Sequence, residues 1–268
     1  MKYITIPPSI ALKPFVRCFW VLEHKFGADE QSYIYRSIAD GCVEMVFHYQ
    51  AAFNELITEG QAHNWLSGIH FQTNHYRRFE TRQSFGIFGV YIYPFAVPYF
   101  FNVPSDKTSN EMLDLYTFLG REGSELEEKM MIAPDNRKRV EILTAFLEKR
   151  LLNMRLKDNT IATSIKHVIH SGQNDTVVQL ADKFNLSIRQ FDRKFKEYAG
   201  FSPKTYLRLV RLSNALKQHK SNKPLGRIAY ECGYYDQSHF IHDVKLFTGY
   251  HPSYYFSGQA EGTEYLYV

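Results

Sequence analysis

The sequence predicts an α+β multidomain chain: a β-rich N-terminal half carrying some helices, followed by an all-α half of two helix-turn-helix subdomains. Three observations predict it. Up to Tyr93, short runs rich in β-branched and aromatic residues alternate with turn signals, as in a sandwich or small barrel. After Pro94 the apolar residues recur at the helical period. Between Thr176 and Phe256 one supersecondary pattern is written twice.

In chain order, Tyr3 to Ile6 reads as a short strand stopped by Pro7-Pro8, and Phe15 to Glu23 and Tyr33 to Ile38 are rich in strand formers. Asp40-Gly41 is a turn signal. Cys42 to Tyr49 follows as a strand, with Val43, Met45 and Phe47 on one face and Glu44, Val46 and His48 on the other. Glu55 to Thr58, Trp65 to Ile69 and His75 to Phe79 are weaker strands, and Phe85 to Tyr93 is a strong one. Ser109 to Leu119 is amphipathic and predicts a helix. Ser124-Glu125-Leu126-Glu127 predicts a capping box at the start of another, broken by Pro134-Asp135. From Asn136 to about Asn153, Val140, Leu143, Leu147 and Leu151 form one helical stripe, which either packs on its own domain or makes a dimer seam. Polar Lys157-Asp158-Asn159 marks a linker. The expected domains are therefore 1–155, ending in a linker helix, and 160–256, with a tail at 257–268 that is mobile in its first half while its last four residues can dock.

The repeat aligns Ala181 with Ala229 and Asn185 with Gly233; after one inserted residue Phe191 aligns with Phe240, Phe195 with Val244 and Pro203 with Pro252. In each copy an apolar residue before Ala lets two helices cross closely. Asn185 or Gly233 then supplies the positive φ at which the first helix ends. The second helix begins at Ser187, or at Asp236 or Gln237, and buries an i, i+4 pair. Its opposite stripe is Ile188, Arg189, Asp192, Arg193 and Lys196 in copy one, and Gln237, Ser238, His239, His242 and Lys245 in copy two. Such side chains read base edges and hold phosphates. Asp192 either accepts from a cytosine amino group or pairs with Lys196. Between the copies Ser202 and Pro203 open a long helix with Tyr206, Leu209, Val210, Leu212 and Leu216 at helical spacing.

Two such copies, each closing in Gly-aromatic-x-Pro, resemble the DNA-binding domain of the AraC/XylS family of bacterial transcriptional regulators over about residues 160–256. The resemblance implies seven helices in two subdomains joined by one long helix, with recognition helices at 187–197 and 237–247 entering successive major grooves. The family pattern usually has Arg where His242 stands and an aromatic where Val244 stands. A mostly neutral His holds a phosphate or guanine less firmly than Arg. The first half resembles the β-rich, cupin-like sensor domains that often precede such domains, through Pro8-Ser9, Phe15 to Trp20, Asp40-Gly41-Cys42 with Glu44 and Phe47, Gly60-Gln61, and Gly89 to Pro94.

Charge distribution points the same way. The chain of 268 residues has a net charge of +4, yet residues 160–256 hold 14 Lys and Arg against 7 Asp and Glu, whereas residues 1–159 hold 18 against 19. Positive charge thus concentrates on the repeat, as phosphate binding requires. Cys18, Cys42 and Cys232 are odd in number and widely spaced, which argues against a disulfide framework or a structural zinc and fits a reducing cytoplasm. Cys232 falls on the inner side of the second copy, and Cys18 and Cys42 lie among apolar strand formers that favour inert thiols. No signal peptide is legible, and the longest apolar run, Phe88 to Phe101, is broken by Pro94 and Pro98. No membrane is expected. His24, His48, His63, His70 and His75 contain no His-x-His pair, and neither a nucleophile elbow nor a phosphate-cradling loop is present. No catalytic residue, metal ligand set or cofactor is therefore expected, and the chain is not read as an enzyme.

The expected function is sequence-specific regulation of transcription. Arg189, Arg193, Gln237, Ser238 and His239 are expected at bases, and Lys196, His242 and Lys245 at phosphates. By analogy the first half binds a small effector, dimerises, or both. Trp20, Tyr35, Glu44, His48 and Tyr91, with Tyr33 and Tyr93, would line an aromatic pocket; the alternative is that these rings are core or dimer surface. The expected partners are double-stranded DNA and a small-molecule effector, with a homodimer and RNA polymerase compatible with the resemblance. A catalytic or metal-binding cupin fused to a DNA-binding domain, and an architectural DNA-binding protein, are the alternatives.

Overall fold

Alternation along the strands dictates three layers at the N-terminal end of the molecule. Strands β1 (Lys2–Ile6), β2 (Val16–His24), β3 (Tyr33–Ser37), β4 (Val43–Gln50), β5 (Phe53–Glu55), β6 (Asn64–Trp65), β7 (Ser67–His70), β8 (Arg77–Thr81) and β9 (Phe85–Ile92) lead into helix α1 (Val97–Phe101) and strand β10 (Met112–Asp114). They form a six-stranded antiparallel sheet, β1-β2-β9-β4-β7-β10, and a four-stranded one, β3-β8-β5-β6. The computed structural model describes residues 1–56, 64–152, 160–170, 175–221 and 223–263. Trp20, Leu22, Val46, Phe85 and Ile87 on the six-stranded sheet meet Tyr33, Phe53 and Phe79 on the other. Their neighbours in sequence, Phe19, Val21, Met45, Phe47, Phe88 and Val90, point to the opposite face and pack on helices.

Those helices are α2 (Leu115–Leu119), α3 (Arg121–Ile132) and α4 (Asn136–Leu152), followed by α5 (Thr160–His170), α6 (Val177–Lys183), α7 (Ile188–Ala199), α8 (Pro203–Leu216), α9 (Leu225–Glu231), α10 (Gln237–Thr248) and α11 (Pro252–Phe256). Leu143 and Leu147 of α4 are fully buried in the core behind the six-stranded sheet, with Val140 and Leu151 packed against it. The stripe expected as packing or seam is thus packing. The same core continues through Ile161, Ile165, Leu180, Phe191, Phe195 and Tyr206, so the first helix-turn-helix shares it with the β layers. The second has its own core, built on Leu209, Leu212, Ile228, Phe240, Val244 and Phe247.

Several local expectations are corrected. Ser109 to Leu119 is not one helix: Met112–Asp114 pairs with β7 at the sheet edge, and only Leu115–Leu119 is helical, capped by Asp114 accepting from the Thr117 N–H at 2.8 Å. Open backbone groups at that edge outweigh the helical spacing. Ser124 is not a cap, because α3 starts three residues earlier, after Gly120 at φ 62°. Trp65 to Ile69 is two strands in different sheets, with the break at Leu66, whose carbonyl accepts from the His48 N–H at 2.7 Å. The strand expected from His75 begins at Arg77. Arg139, off the apolar stripe of α4, is nonetheless buried: it donates to the carbonyls of Met130 and Ala133 at 3.1 Å each, closing the C-terminus of α3, and lies 3.8 Å over the Tyr49 ring.

The tail is docked, not loose, as far as Thr263. Glu261 pairs with Arg78 at 2.8 Å and with Arg36 at 3.7 Å, Ala260 and Thr263 are buried, and the Tyr250 hydroxyl donates to the Glu261 carbonyl at 2.7 Å. Gly262, at φ 73°, runs so close to β3 that a Cβ there would stand 2.7 Å from the Ile34 carbonyl oxygen and the Arg36 nitrogen. Polar composition suggested mobility; arginines of β3 and β8 hold the segment. The linker at 157–159, Gly60-Gln61, His63, the end of the strand expected at 55–58 and the last four residues lie outside the described residues.

Candidate nucleic-acid interface and ligand cavity

Both copies of the repeat fold into the same turn by the same hydrogen bonds. Asn185 at φ 54° and Gly233 at φ 77° end the first helices, and the next residues donate back five positions, Leu186 to the Ala181 carbonyl and Tyr234 to the Ala229 carbonyl, at 3.0 Å each. This is the six-to-one closure of a Schellman turn, which needs the left-handed residue. Thr176 and Ser187 cap α6 and α7, each with a reciprocal glutamine three residues on, and Asp236 caps α10 by accepting from the His239 N–H at 2.8 Å. Phe191 and Phe195, and Phe240 and Val244, are fully buried. The recognition helices run 188–199 and 237–248, and seven α-helices stand between Thr160 and Phe256 among the described residues.

Every expected DNA-contacting side chain is exposed: Arg189, Arg193 and Lys196 on α7, and Gln237, Ser238, His239, His242 and Lys245 on α10. Among the described residues, Arg189, Arg193, Lys196 and Lys245 have no ion-pair partner, and no pair joins Asp192 to Lys196. His239 is engaged with the cap carboxylate of Asp236, Nδ1 lying 3.1 Å from Oδ1. The His239 N–H and ring hold that carboxyl below the usual range. His242 stands 3.5 Å from Asp243, which is itself buried and bound by Arg208 through Nη2 at 2.6 Å and Nε at 3.2 Å. Arg208 and Asp243 thus tie the joining helix α8 to α10, a link that a separation of 35 positions hid from the sequence. Tyr235, directly ahead of α10, is 93 % exposed, with its ring 6.2 Å from that of His239; its place in a polar turn gave no periodic signal.

The C-terminal ends of both recognition helices rest on the β layers. The Ser109 hydroxyl donates to the Gly200 carbonyl at 2.8 Å at the end of α7, and Arg36 donates to the Thr248 carbonyl at 3.0 Å at the end of α10. Between them the Tyr206 ring of α8 lies against Gly41 in the turn before β4, where a Cβ would meet it at 3.1 Å.

Beside that turn a cavity of about 180 Å³ opens between β1, β2, β3, β4, β9 and the end of α8. Of the expected pocket residues, Tyr35, Glu44 and Tyr91 line it; Trp20 and His48 instead line a smaller void of about 30 Å³ between the two sheets, which Tyr35 and Glu44 also reach. Tyr33 and Tyr93 line neither. Sequence reasoning missed Tyr3, Arg17, Asp40, His70 and Lys217 in the larger cavity. Alternation along β1 marks Tyr3, but nothing local relates Lys217 to a sheet. Burial raises the Glu44 carboxyl to about 8, with Asp40 adding and the Tyr91 hydroxyl opposing, and burial lowers His70 to about 3. Burial also raises the Cys18 and Cys42 thiols, leaving them weak nucleophiles. Cys232 is buried in the second core. Among the described residues no three His, Cys, Asp or Glu gather as a metal site, and no helix is long and apolar enough to cross a membrane.

Family models match the two halves separately. Residues 180–258 match a family described as a helix-turn-helix domain, and residues 4–114 match one described as a domain of unknown function, DUF6597. The chain is similar to the HTH-type transcriptional activator RhaS of Citrobacter koseri, 43 % identical over 63 residues that make up 23 % of this chain and 22 % of that protein. RhaS of Escherichia fergusonii is 31 % identical over 108 residues, 38 % of this chain and 37 % of the relative. The match therefore spans about a fifth to two fifths of these relatives' length. A crystal structure of ToxT from Vibrio cholerae O395 bound to (E)-4-(8-methylnaphthalen-1-yl)but-3-enoic acid shares the fold, with a TM-score of 0.50 at 13 % identity over 97 % of this chain and 100 % of that one.

Proposed function

We propose, from the premise that this chain belongs through its helix-turn-helix half to the AraC/XylS family of transcriptional regulators, that it binds specific DNA sequences and controls transcription in response to a small molecule. One observation carries the reading: two recognition helices, each entered through the same left-handed turn, present exposed polar and cationic stripes. Arg189, Arg193, Gln237, Ser238 and His239 read base edges, and Lys196, His242 and Lys245 hold phosphates. Its two domains are 1–155 and 160–256, with the shared core behind the six-stranded sheet coupling them. The cavity at Glu44 is the effector site, and its position against α8 lets an occupant bias how the two helix-turn-helix units are held. ToxT, crystallised with an organic acid, is a precedent for a ligand in this fold, without fixing the ligand here. Three free thiols suit a cytoplasmic protein. Selection of bound sequences from a random DNA library across a salt series tests the proposal. Two short blocks about one helical turn apart are expected. Salt-dependent binding without an enriched motif, with and without candidate effectors, would leave only an architectural role.

A further inference from the structure

Glu44 is a buried acid in an aromatic enclosure. It stands on β4, on the face turned toward the four-stranded sheet, directly across from Tyr91 of β9 and His70 of β7. It borders both the larger cavity and the void between the sheets. On one side Trp20 lies 6.0 Å from Tyr91 and 6.4 Å from Tyr3; on the other, Phe79 lies 6.4 Å from Tyr35 and stacks on His70 at 5.9 Å. In the same enclosure the Trp20 Nε1 and Ser67 Oγ atoms are buried without a hydrogen-bond partner. Each such group costs stability unless something completes it.

The cations nearby are committed elsewhere. Arg17 of β2 pairs with Asp40 at 3.7 Å and lies 5.4 Å over the Tyr91 ring. Arg77 of β8 pairs with Glu55 at 3.2 Å and donates to the Asn110 carbonyl. Lys217, after α8, is exposed at the rim and donates to Asn214 at 3.2 Å. Among the described residues none of these three forms an ion pair with Glu44. The other titratable groups facing it are Tyr3, Tyr91, Cys18, Cys42 and His70, all pushed by burial toward their neutral forms. Tyr35 of β3, His48 of β4 and Tyr255 of α11 complete the ring.

From this geometry we infer that the cavity binds a small organic cation, its charged head against the Glu44 carboxylate and the Tyr91 and Tyr35 rings. The inference rests on the reading of this cavity as the effector site. Arg17 favours the ionised Glu44 only at a distance; an ammonium in the cavity would pair with it directly, and aromatic faces favour a desolvated cation. It also sets a pH dependence. In the empty protein the Glu44 carboxyl, raised to about 8, is mostly protonated at neutral pH. The cation prefers the ionised form, so binding releases a proton and tightens as pH rises toward that value, by up to about tenfold per unit.

The test uses the full chain with choline, which carries a fixed charge and a hydroxyl, beside its neutral isostere 3,3-dimethylbutan-1-ol and the anion 4-phenylbutyrate. Calorimetry is run at pH 6, 7, 8 and 9, in buffers of differing ionisation enthalpy. Choline is expected to bind at least tenfold more tightly than the isostere at pH 8, to weaken toward pH 6 and to release a proton. Glu44→Gln should abolish the charge preference and the pH profile while the isostere still binds. The profile of the unaltered protein keeps the test valid if that variant does not fold. If the isostere or the anion binds as well as choline, the cation is overturned while the effector site stands. If none of the three binds, both fall, and the DNA selection remains a separate measure of the other half.

Discussion

Arg36 is the residue on which the hold of the β layers over the second helix-turn-helix turns, and replacing it by alanine should loosen that unit without unfolding the chain. The guanidinium is only 6 % exposed; Nη1 donates to the Thr248 carbonyl at 3.0 Å, and the group lies 3.9 Å from the Tyr250 ring and 4.7 Å from the Tyr76 ring. A hydrogen bond from a charged donor contributes about 1.5–3 kcal/mol. The close, desolvated ring contact adds about 1–2 kcal/mol. The pair with half-exposed Glu261 at 3.7 Å adds a few tenths at most. Against these stands a buried guanidinium whose Nε has no partner, which costs about 1–2 kcal/mol. Arg36→Ala should therefore cost about 2–3 kcal/mol, and at about 2–4 °C per kcal/mol its transition should fall by about 5–10 °C. Calorimetry gives the shift, and hydrogen exchange should localise it to α10, α11 and residues 259–263. Arg36→Lys keeps a charge but not the planar stack and should recover part of the loss. On DNA, the variant should tolerate an extra base pair between the two blocks. A change below about 0.5 kcal/mol, with unaltered exchange at α10, would refute the idea that Arg36 holds this unit.

Three further outcomes are expected. Arg193→Ala should weaken specific binding by about 1–3 kcal/mol and relax discrimination at one base position, measured by competition binding; an equal loss on random DNA would remove Arg193 from base reading. Lys245→Ala should weaken binding on all sequences and lower the slope of log affinity against log salt by about one, whereas an unchanged slope would remove it from the phosphate contacts. Leu143→Ala should cost about 2–5 kcal/mol in denaturant unfolding, because Leu143 is fully buried behind the six-stranded sheet; a loss under about 1 kcal/mol would mean that α4 is not part of that core.

Much of the recognition half was legible because its determinants are local. A helix-turn-helix is specified within about twenty residues by cap, apolar pair and left-handed turn, so Ser187, Asn185 and Gly233 announced the boundaries that the structure shows. The β strands were legible as elements through alternation, but the helix expected at Ser109 to Leu119 is helical only from Leu115, since Met112–Asp114 answers to the open edge of β7. The pocket was half legible: alternation placed Glu44 and His48 on one face of β4, while the division of Trp20 and His48 from Tyr91 between two spaces depends on how the sheets close.

By itself, then, the sequence determined most element types, the duplicated helix-turn-helix motif and the stripes that face outward, because these depend on residues within one or two turns of each other. Only the tertiary structure decided that α4 packs inward, that Asp243 belongs to Arg208, that the tail is pinned by Arg36 and Arg78, and that Glu44 faces a cavity in which no described cation pairs with it. Each of these joins groups tens to hundreds of residues apart, and the energy of a buried charge or an open sheet edge is set by what the rest of the chain brings to it.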